Sequence, residues 1–446
     1  MREQRLSGAA LMLIMCLLPI LIFYGLLLFG ITINPLFVLL ILVLCCLAMF
    51  HWAAGACGHH TAEATQHDTD EEPIPVGEGD IEQLSGVFRP TSRRQVGQAL
   101  VIEGELLQDA DEAYQTLKQR FQDTNVTPLL QEDEGQQPRV VLLPGRWEQA
   151  ATKDRSPWIN LALFLATIVT TTWAGALHQG VNLLAEPSRF TVGLPYSLTL
   201  MLILGAHELG HYFAARAHGM KVTLPFFIPV PFALGTFGAF IQLKSPSETR
   251  RALFDVGVAG PLAGLVFAVP ALWIGLGMSD VVPPSDEPVA FHHGTTVGSS
   301  ILLAGMAKLT LGEAISQGHV LALHPLAFAG WLGLLVTALN LLPIGQLDGG
   351  HIADAMFGQR RSTAISSAAL ISLFLLGLFV WSGLLFWAII AFFIAGAKGI
   401  PAMNDVTKLD VGRSTLGALA FLLLFLILIP VPHAFWESLG IHCPYL

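Results

Sequence analysis

Leu198-Thr-Leu-Met-Leu-Ile-Leu-Gly-Ala-His207-Glu208-Leu-Gly-His211-Tyr-Phe-Ala-Ala-Arg-Ala217 decides how the rest of the chain is read. The run is long and apolar enough for a helix that crosses a membrane, yet it carries two histidines and a carboxylate near its middle. On a helix, residues four apart share a face, so His207 and His211 can reach one metal ion while Glu208 points at a water beside it. Such a pentad carries the chemistry of a zinc peptidase. The plainer reading is a pair of histidines packed on a bundled helix. It is disfavoured because ionisable groups inside a membrane helix are costly unless they serve a site.

Catalytic zinc takes three protein ligands and leaves a fourth position for water, so one further donor must come from elsewhere. Asp255, Asp348, His351 and Asp354 are the candidates at membrane depth. Pro343 and Gly345 interrupt an apolar helix just before Asp348, and Gly349-Gly350 follow it, which makes a broken helix able to line a wet cavity. Asp255 follows Arg250-Arg251 near a helix start, where an acidic residue has an ordinary electrostatic explanation. Spacing favours Asp348 moderately and leaves Asp255 open.

Outward from this stretch, the chain is 53% hydrophobic and 13% charged, about half the charged fraction of a soluble domain. Apolar segments near 8–30, 35–57, 157–177, 195–217, 252–277, 326–343, 363–381, 384–398 and 414–431 predict an α-helical polytopic membrane protein with about nine crossings. The eighth is short, so 363–398 reads as a tight helical hairpin. Ser299–Gly312 is apolar but interrupted by Lys308, and is expected along the outer interface. Arg2, Arg5, Arg216, Lys221, Lys244, Arg250, Arg251, Arg360, Arg361, Lys408 and Arg413 fall on one side, predicting N-terminus in and C-terminus out. The acidic loop Asp280–Glu287 suits the outer side.

A formal charge of -10 offers no basic face for nucleic acid, and the bilayer is the partner to expect. Cys16, Cys45, Cys46, Cys57 and Cys443 show no disulfide spacing. Residues 58–156 break the apolar pattern: an acidic linker to about Asp80, then a strand at 99–106, a helix at 109–121 and strands at 127–131 and 139–143. The expected organisation is therefore an N-terminal transmembrane hairpin at 1–57, a cytoplasmic linker and small βαββ insert at 58–156, an intramembrane core at 157–400, and a last helix and tail at 401–446. His59, His60 and His67 read as a solvated linker, as do His292-His293, and Gly257, Gly260 and Gly264 at helical spacing read as close helix packing.

Three ordered motifs now come together: His207-Glu-Leu-Gly-His211, Gly257-Val-Ala-Gly-Pro-Leu-Ala-Gly264, and Asn340-Leu-Leu-Pro-Ile-Gly-Gln-Leu-Asp348-Gly-Gly350. Together they resemble the site-2 protease family of intramembrane metalloproteases over roughly 195–400. The resemblance implies one catalytic Zn2+ on His207, His211 and Asp348, Glu208 as the catalytic carboxylate, and Asn340 holding substrate near the metal. Its substrates would be single-span membrane proteins, cut in regulated intramembrane proteolysis. Leu224–Pro231 and Gly235–Ile241 are similar to the branch without a PDZ domain that includes plastid and cyanobacterial members. A bacterial cytoplasmic membrane, with the site toward the cytoplasm, is the expected location.

Gly235–Leu243 is glycine-containing and β-prone, and reads either as an edge strand that pairs with an extended substrate or as a re-entrant loop that only packs. The resemblance tilts toward the strand, which makes Gly235, Phe237, Gly238, Ala239 and Phe240 substrate-binding candidates. Two rival classes are an ion-coordinating transporter, which would show internal repeats and paired broken helices, and an inactive relative serving as a membrane scaffold.

Overall fold

Long apolar runs leave the backbone no hydrogen-bond partner but itself, and most of this chain answers by forming helices. The computed structural model describes residues 78–132, 137–145, 157–231, 234–282, 300–312, 320–379, 382–394 and 401–429. The expected crossings at 8–30 and 35–57, the acidic linker to residue 77, and the His59, His60, His67 and His292-His293 tracts lie outside the described residues.

Among the described residues, four helices are long and apolar enough to cross a membrane: α3 (Pro157–His178), α5 (Arg250–Gly277), α9 (Gln359–Phe379) and α11 (Val411–Leu428). The expectation of about nine crossings is met only to that extent. The motif-bearing α4 (Leu194–Ala217) is as long as these, and α6 (Ile301–Leu311), α7 (Pro325–Asn340) and α10 (Ser382–Ile394) are shorter and apolar. A further short helix, α8 (Asp348–Phe357), follows the break after α7. Helices α9 and α10 fold back closely: a Cβ added at Gly377 would lie 2.4 Å from the Leu385 backbone nitrogen. Rather than standing apart from the bundle, α6 packs into it through Leu303, Met306 and Ala307.

The bundle centres on α4, α5 and α7. Lipid supplies no hydrophobic force between membrane helices, so close backbone approach and dispersion must hold them. Small residues permit it. A Cβ at Gly210 would lie 2.5 Å from the Ala259 carbonyl oxygen, and one at Gly330 2.5 Å from the Leu272 nitrogen. Ile203, Phe254, Leu272, Leu334, Ala338 and Ile352 fill the space between. Polar side chains pin α3 to its neighbours: Thr171 and Ser197 share a 2.7 Å hydroxyl bond, and Asn160 donates to the carbonyls of Leu224 and Pro225.

A hairpin follows α4, with β5 (Phe226–Pro229) antiparallel to β6 (Thr236–Phe240). Its turn is fixed by the Thr170 hydroxyl donating to Gly235 O at 2.7 Å and the Tyr196 hydroxyl donating to Leu234 O at 2.9 Å. Gly235 is required here. Its φ is +81°, and a Cβ would meet Thr171 Cα at 2.5 Å.

The insert forms a four-stranded antiparallel sheet of β1 (Phe88–Val96), β2 (Ala99–Leu106), β3 (Val126–Glu132) and β4 (Pro138–Pro144), ordered β1-β2-β4-β3, after a short helix α1 (Glu78–Glu82). Helix α2 (Ala110–Arg120) covers it with Ala113, Tyr114 and Leu117, packed against Leu130, Val140 and Leu142. The sheet has one strand more than the βαββ expected from the sequence. In β1 every residue after Phe88 is exposed, so Phe-Arg-Pro-Thr-Ser-Arg-Arg-Gln-Val shows no alternation. Backbone pairing with β2, not a buried face, makes it a strand.

Segment Met403–Asp405 ties this sheet to the helical core. On one side Leu130 N donates to Met403 O and Asp405 N to Leu130 O, both at 2.8 Å. On the other, Met403 N donates to Ser247 O at 2.9 Å and Asn404 N to Glu248 O at 2.8 Å, immediately before α5. Asn404 is fully buried, and its amide donates to Ala110 O, Asp111 Oδ1 and Thr407 Oγ1. Arg250, at the start of α5, donates from Nε to Asp405 Oδ1 at 2.7 Å with both side chains nearly buried.

Candidate metal centre and active site

Helix α4 carries His207 and His211 one turn apart on the face turned toward α5, and both are buried with Glu208 between them. The third donor, a carboxylate, arrives by a break in the chain. Helix α7 ends at Asn340, residues 341–347 turn with Gly345 at φ +47°, and α8 begins at Asp348. Gly349 and Gly350 let that first turn sit on the preceding loop, since a Cβ would meet Leu341 O at 2.0 Å or Gly345 O at 2.1 Å. Asp348 thus stands at a helix N-terminus, where the dipole favours a negative charge.

Three donor atoms converge. His207 Nε2 and His211 Nε2 are 3.1 Å apart, and each lies 3.3 Å from Asp348 Oδ2. His211 Nδ1 sits 2.7 Å from the Val256 carbonyl oxygen, which can only accept, so Nδ1 carries the proton and Nε2 presents a lone pair. Asp348 Oδ2 is buried and has no hydrogen-bond partner. Electron-rich atoms at such spacings repel unless a cation lies between them. Tetrahedral zinc with bonds of ~2.0–2.1 Å places its ligands ~3.3 Å apart, so the donor set fits a zinc ion. Among the described residues this is the one group of three or more His, Cys, Asp or Glu side chains placed to share an ion.

The other candidates lie outside this group. Asp255 accepts from Arg413 Nε and Nη2, both at 2.7 Å, and faces His218 Nε2 at 3.0 Å, an ion-paired clasp joining α5, α11 and the end of α4. Asp354 lies near Ser362, Arg250 and Asp405, and neither it nor His351 belongs to the metal-binding group. Asn340, the last residue of α7, comes within 3.2 Å of His207 Nε2 through its Nδ2. The hairpin approaches from the other side, with the backbone N–H of Ile241 turned to the Glu208 carboxylate.

Of the hairpin residues singled out in the sequence, Gly235 serves the turn against α3, while Phe240 is exposed and its ring stacks on Phe226 at 5.5 Å. Phe237 is exposed, Ala239 packs toward α4, and Gly238 adopts φ +100° with open space where a Cβ would be. β6 pairs with β5 on one edge and with no other strand among the described residues. Sequence reasoning missed the Val256 carbonyl and Ile241, because a backbone group leaves no signature in residue type.

Residues 195–383 match peptidase family M50. The chain is 32% identical over 373 residues to probable zinc metalloprotease EGY2, chloroplastic, of Arabidopsis thaliana, covering 82% of this chain and 66% of that protein. The rice (Oryza sativa subsp. indica) EGY2 is 31% identical over 383 residues, covering 82% and 68%. Arabidopsis EGY1, also called a probable zinc metalloprotease and chloroplastic, is 36% identical over 250 residues, covering 56% and 45%. The chain therefore spans about two thirds of the EGY2 proteins and less than half of EGY1. No solved structure matches it significantly. With a zinc-fitting donor set set among membrane helices and relatives of this identity and coverage, the chain belongs to peptidase family M50, the site-2-type intramembrane zinc metalloproteases.

Proposed function

We propose that this chain hydrolyses peptide bonds of single-span membrane proteins within the bilayer, with His207, His211 and Asp348 holding Zn2+ and Glu208 as the proton-transferring carboxylate. The convergence of the three donors beside a buried Glu208 carries this reading. Zinc held there supplies Lewis-acid chemistry, activating a water and polarising a peptide carbonyl. Glu208 accepts the proton of the attacking water and returns it to the leaving amine. Asn340 holds the substrate backbone beside the metal ligands.

A transmembrane helix has its carbonyls hydrogen-bonded and must unwind before one can react. The outer edge of β6, with Ala239 and Phe240, offers backbone groups to which an extended segment can add as a strand. The nearness of Ile241 N–H to Glu208 supports that placement.

The division into a hairpin at 1–57, a linker and insert at 58–156, a catalytic core at 157–400 and a C-terminal helix and tail at 401–446 belongs to the same proposal. So do the count of about nine crossings and a site facing the cytoplasmic side, supported by the basic residues that flank α4, α5, α9 and α11. The bacterial cytoplasmic membrane rests on the sequence alone, and the relatives above are chloroplastic by name.

Glu208→Gln is the decisive variant. It should keep one zinc per chain and lose about 10²–10⁴-fold in cleavage rate, because ligands remain while the proton acceptor is gone. Comparative membrane proteomics of cells carrying either form should show single-span proteins accumulating uncut with the variant. Turnover near wild type would sink the assignment.

A further inference from the structure

Helix α5 contributes no ligand, yet it touches all three. A Cβ added at Gly257 would lie 3.2 Å from Asp348 O and from His351 Cβ. One at Gly264 would lie 3.4 Å from His207 Cβ and Nδ1, an ordinary contact. Gly260 differs in kind, because a Cβ there would fall 2.0 Å from His211 Nε2, 2.4 Å from Cδ2 and 2.5 Å from Cε1. The imidazole of His211 occupies the place of a side chain on α5. One turn earlier on the same helix, Val256 O lies 2.7 Å from Nδ1 of that ring.

We propose that the Val256–Gly260 turn of α5 positions His211 for the metal: the Val256 carbonyl holds the ring with Nε2 outward, and the bare Cα of Gly260 gives the ring its seat. This rests on the zinc reading above and adds to it the groups that set one ligand's orientation. An imidazole free to rotate about its two side-chain bonds would lose freedom on binding metal, and its two nitrogens would compete for the ion. A backbone acceptor on a rigid helix removes both costs, because the carbonyl cannot donate and cannot swing away. Groups that orient a histidine ligand in this way typically account for ~10–100-fold in metal affinity. The three glycines look equivalent in the sequence. Only Gly260 bears on a ligand ring closely enough to displace it.

The test compares alanine at four glycines in the full, detergent-solubilised chain, using zinc affinity from chelator competition, the absorption spectrum of the Co2+-substituted protein, and thermal unfolding. Gly260→Ala should weaken zinc by about 10-fold or more and alter the Co2+ bands. Gly264→Ala should leave both unchanged, and Gly257→Ala should fall between. Gly275→Ala, where a Cβ would lie 2.2 Å from the Ala327 nitrogen, is the packing control. It should lower thermal stability without changing the zinc affinity of the folded fraction. Wild-type zinc affinity in Gly260→Ala, or an equal loss in Gly275→Ala, overturns the proposal while leaving the protease reading intact. An unsubstituted chain that binds no zinc overturns both. If Gly260→Ala gives no folded protein, ¹⁵N-histidine spectra of the zinc-loaded unsubstituted chain decide: metal on Nε2 of His211 with Nδ1 protonated supports the proposal, and metal on Nδ1 overturns it.

Discussion

Asp348 and Asp255 look alike as residues, each an aspartate near a helix start in an apolar sequence, and their surroundings separate them. Asp348 faces two imidazole nitrogens and has a buried oxygen with no hydrogen-bond partner, whereas both oxygens of Asp255 accept from Arg413. Removing the charge from Asp348 takes a donor from the three-atom cluster, while removing it from Asp255 loosens a clasp that is a third exposed on its arginine side. Asp348→Asn should therefore lower zinc content and abolish cleavage. Asp255→Asn should keep zinc and lower the melting temperature, since Arg413 and His218 lose a partly buried charged partner. Metal analysis of the two purified variants, beside their melting curves, checks this; the reverse ranking would reassign the third ligand.

At the level of elements, the β5–β6 hairpin shows how a strand is held ready without a second neighbour. Asn160, Thr170 and Tyr196 fix its inner side to α3 and α4, so β6 keeps its shape with its outer edge unpaired by any described strand. Backbone N–H groups alternate in direction along an antiparallel strand, so of the neighbours Ala239 and Phe240 one donates toward β5 and the other away from it. Proline at the outward position should slow cleavage of membrane substrates with zinc and melting temperature unchanged. Proline at the inward position should also lower the melting temperature. Zinc content, thermal melts and substrate turnover for Ala239→Pro and Phe240→Pro decide the matter. Full activity in both variants would leave the hairpin a packing element only.

For the whole molecule, the insert is not a loosely tethered appendage. Met403 and Val406 pack into its apolar core, and Asn404 joins its β3 edge to the residues before α5. Deleting residues 82–146 would strip cover from that segment, so the truncated chain should retain zinc, since no ligand lies there, but melt lower and process substrates at an altered rate. Asn404→Ala tests the side-chain part of the connection and leaves its backbone bonds in place. It removes the amide that donates to Ala110 O and Asp111 Oδ1, hydrogen bonds that typically contribute ~0.5–1.5 kcal/mol each, while Asp111 keeps its bond from Thr407. Limited proteolysis should then release the insert faster at unchanged zinc content. Equal release rates and equal melting would show that the Asn404 side chain does not hold the insert in place.

The sequence alone determined that His207 and His211 share a face, because four-residue spacing on a helix fixes this whatever surrounds it. It also determined the helical character of the core, because an apolar run in lipid has no other way to satisfy its backbone. The break before Asp348 was legible in Pro343 and Gly345 for the same local reason. Tertiary structure decided what depends on distant residues meeting: that Asp348 and not Asp255 joins the histidines, that Val256 O meets His211, and that Gly260 carries a ring while Gly264 does not. It also decided β1, whose exposed, arginine-rich residues become a strand only through the ladder with β2. Local spacing is written into residue order, whereas a contact between two helices depends on how every other helix packs.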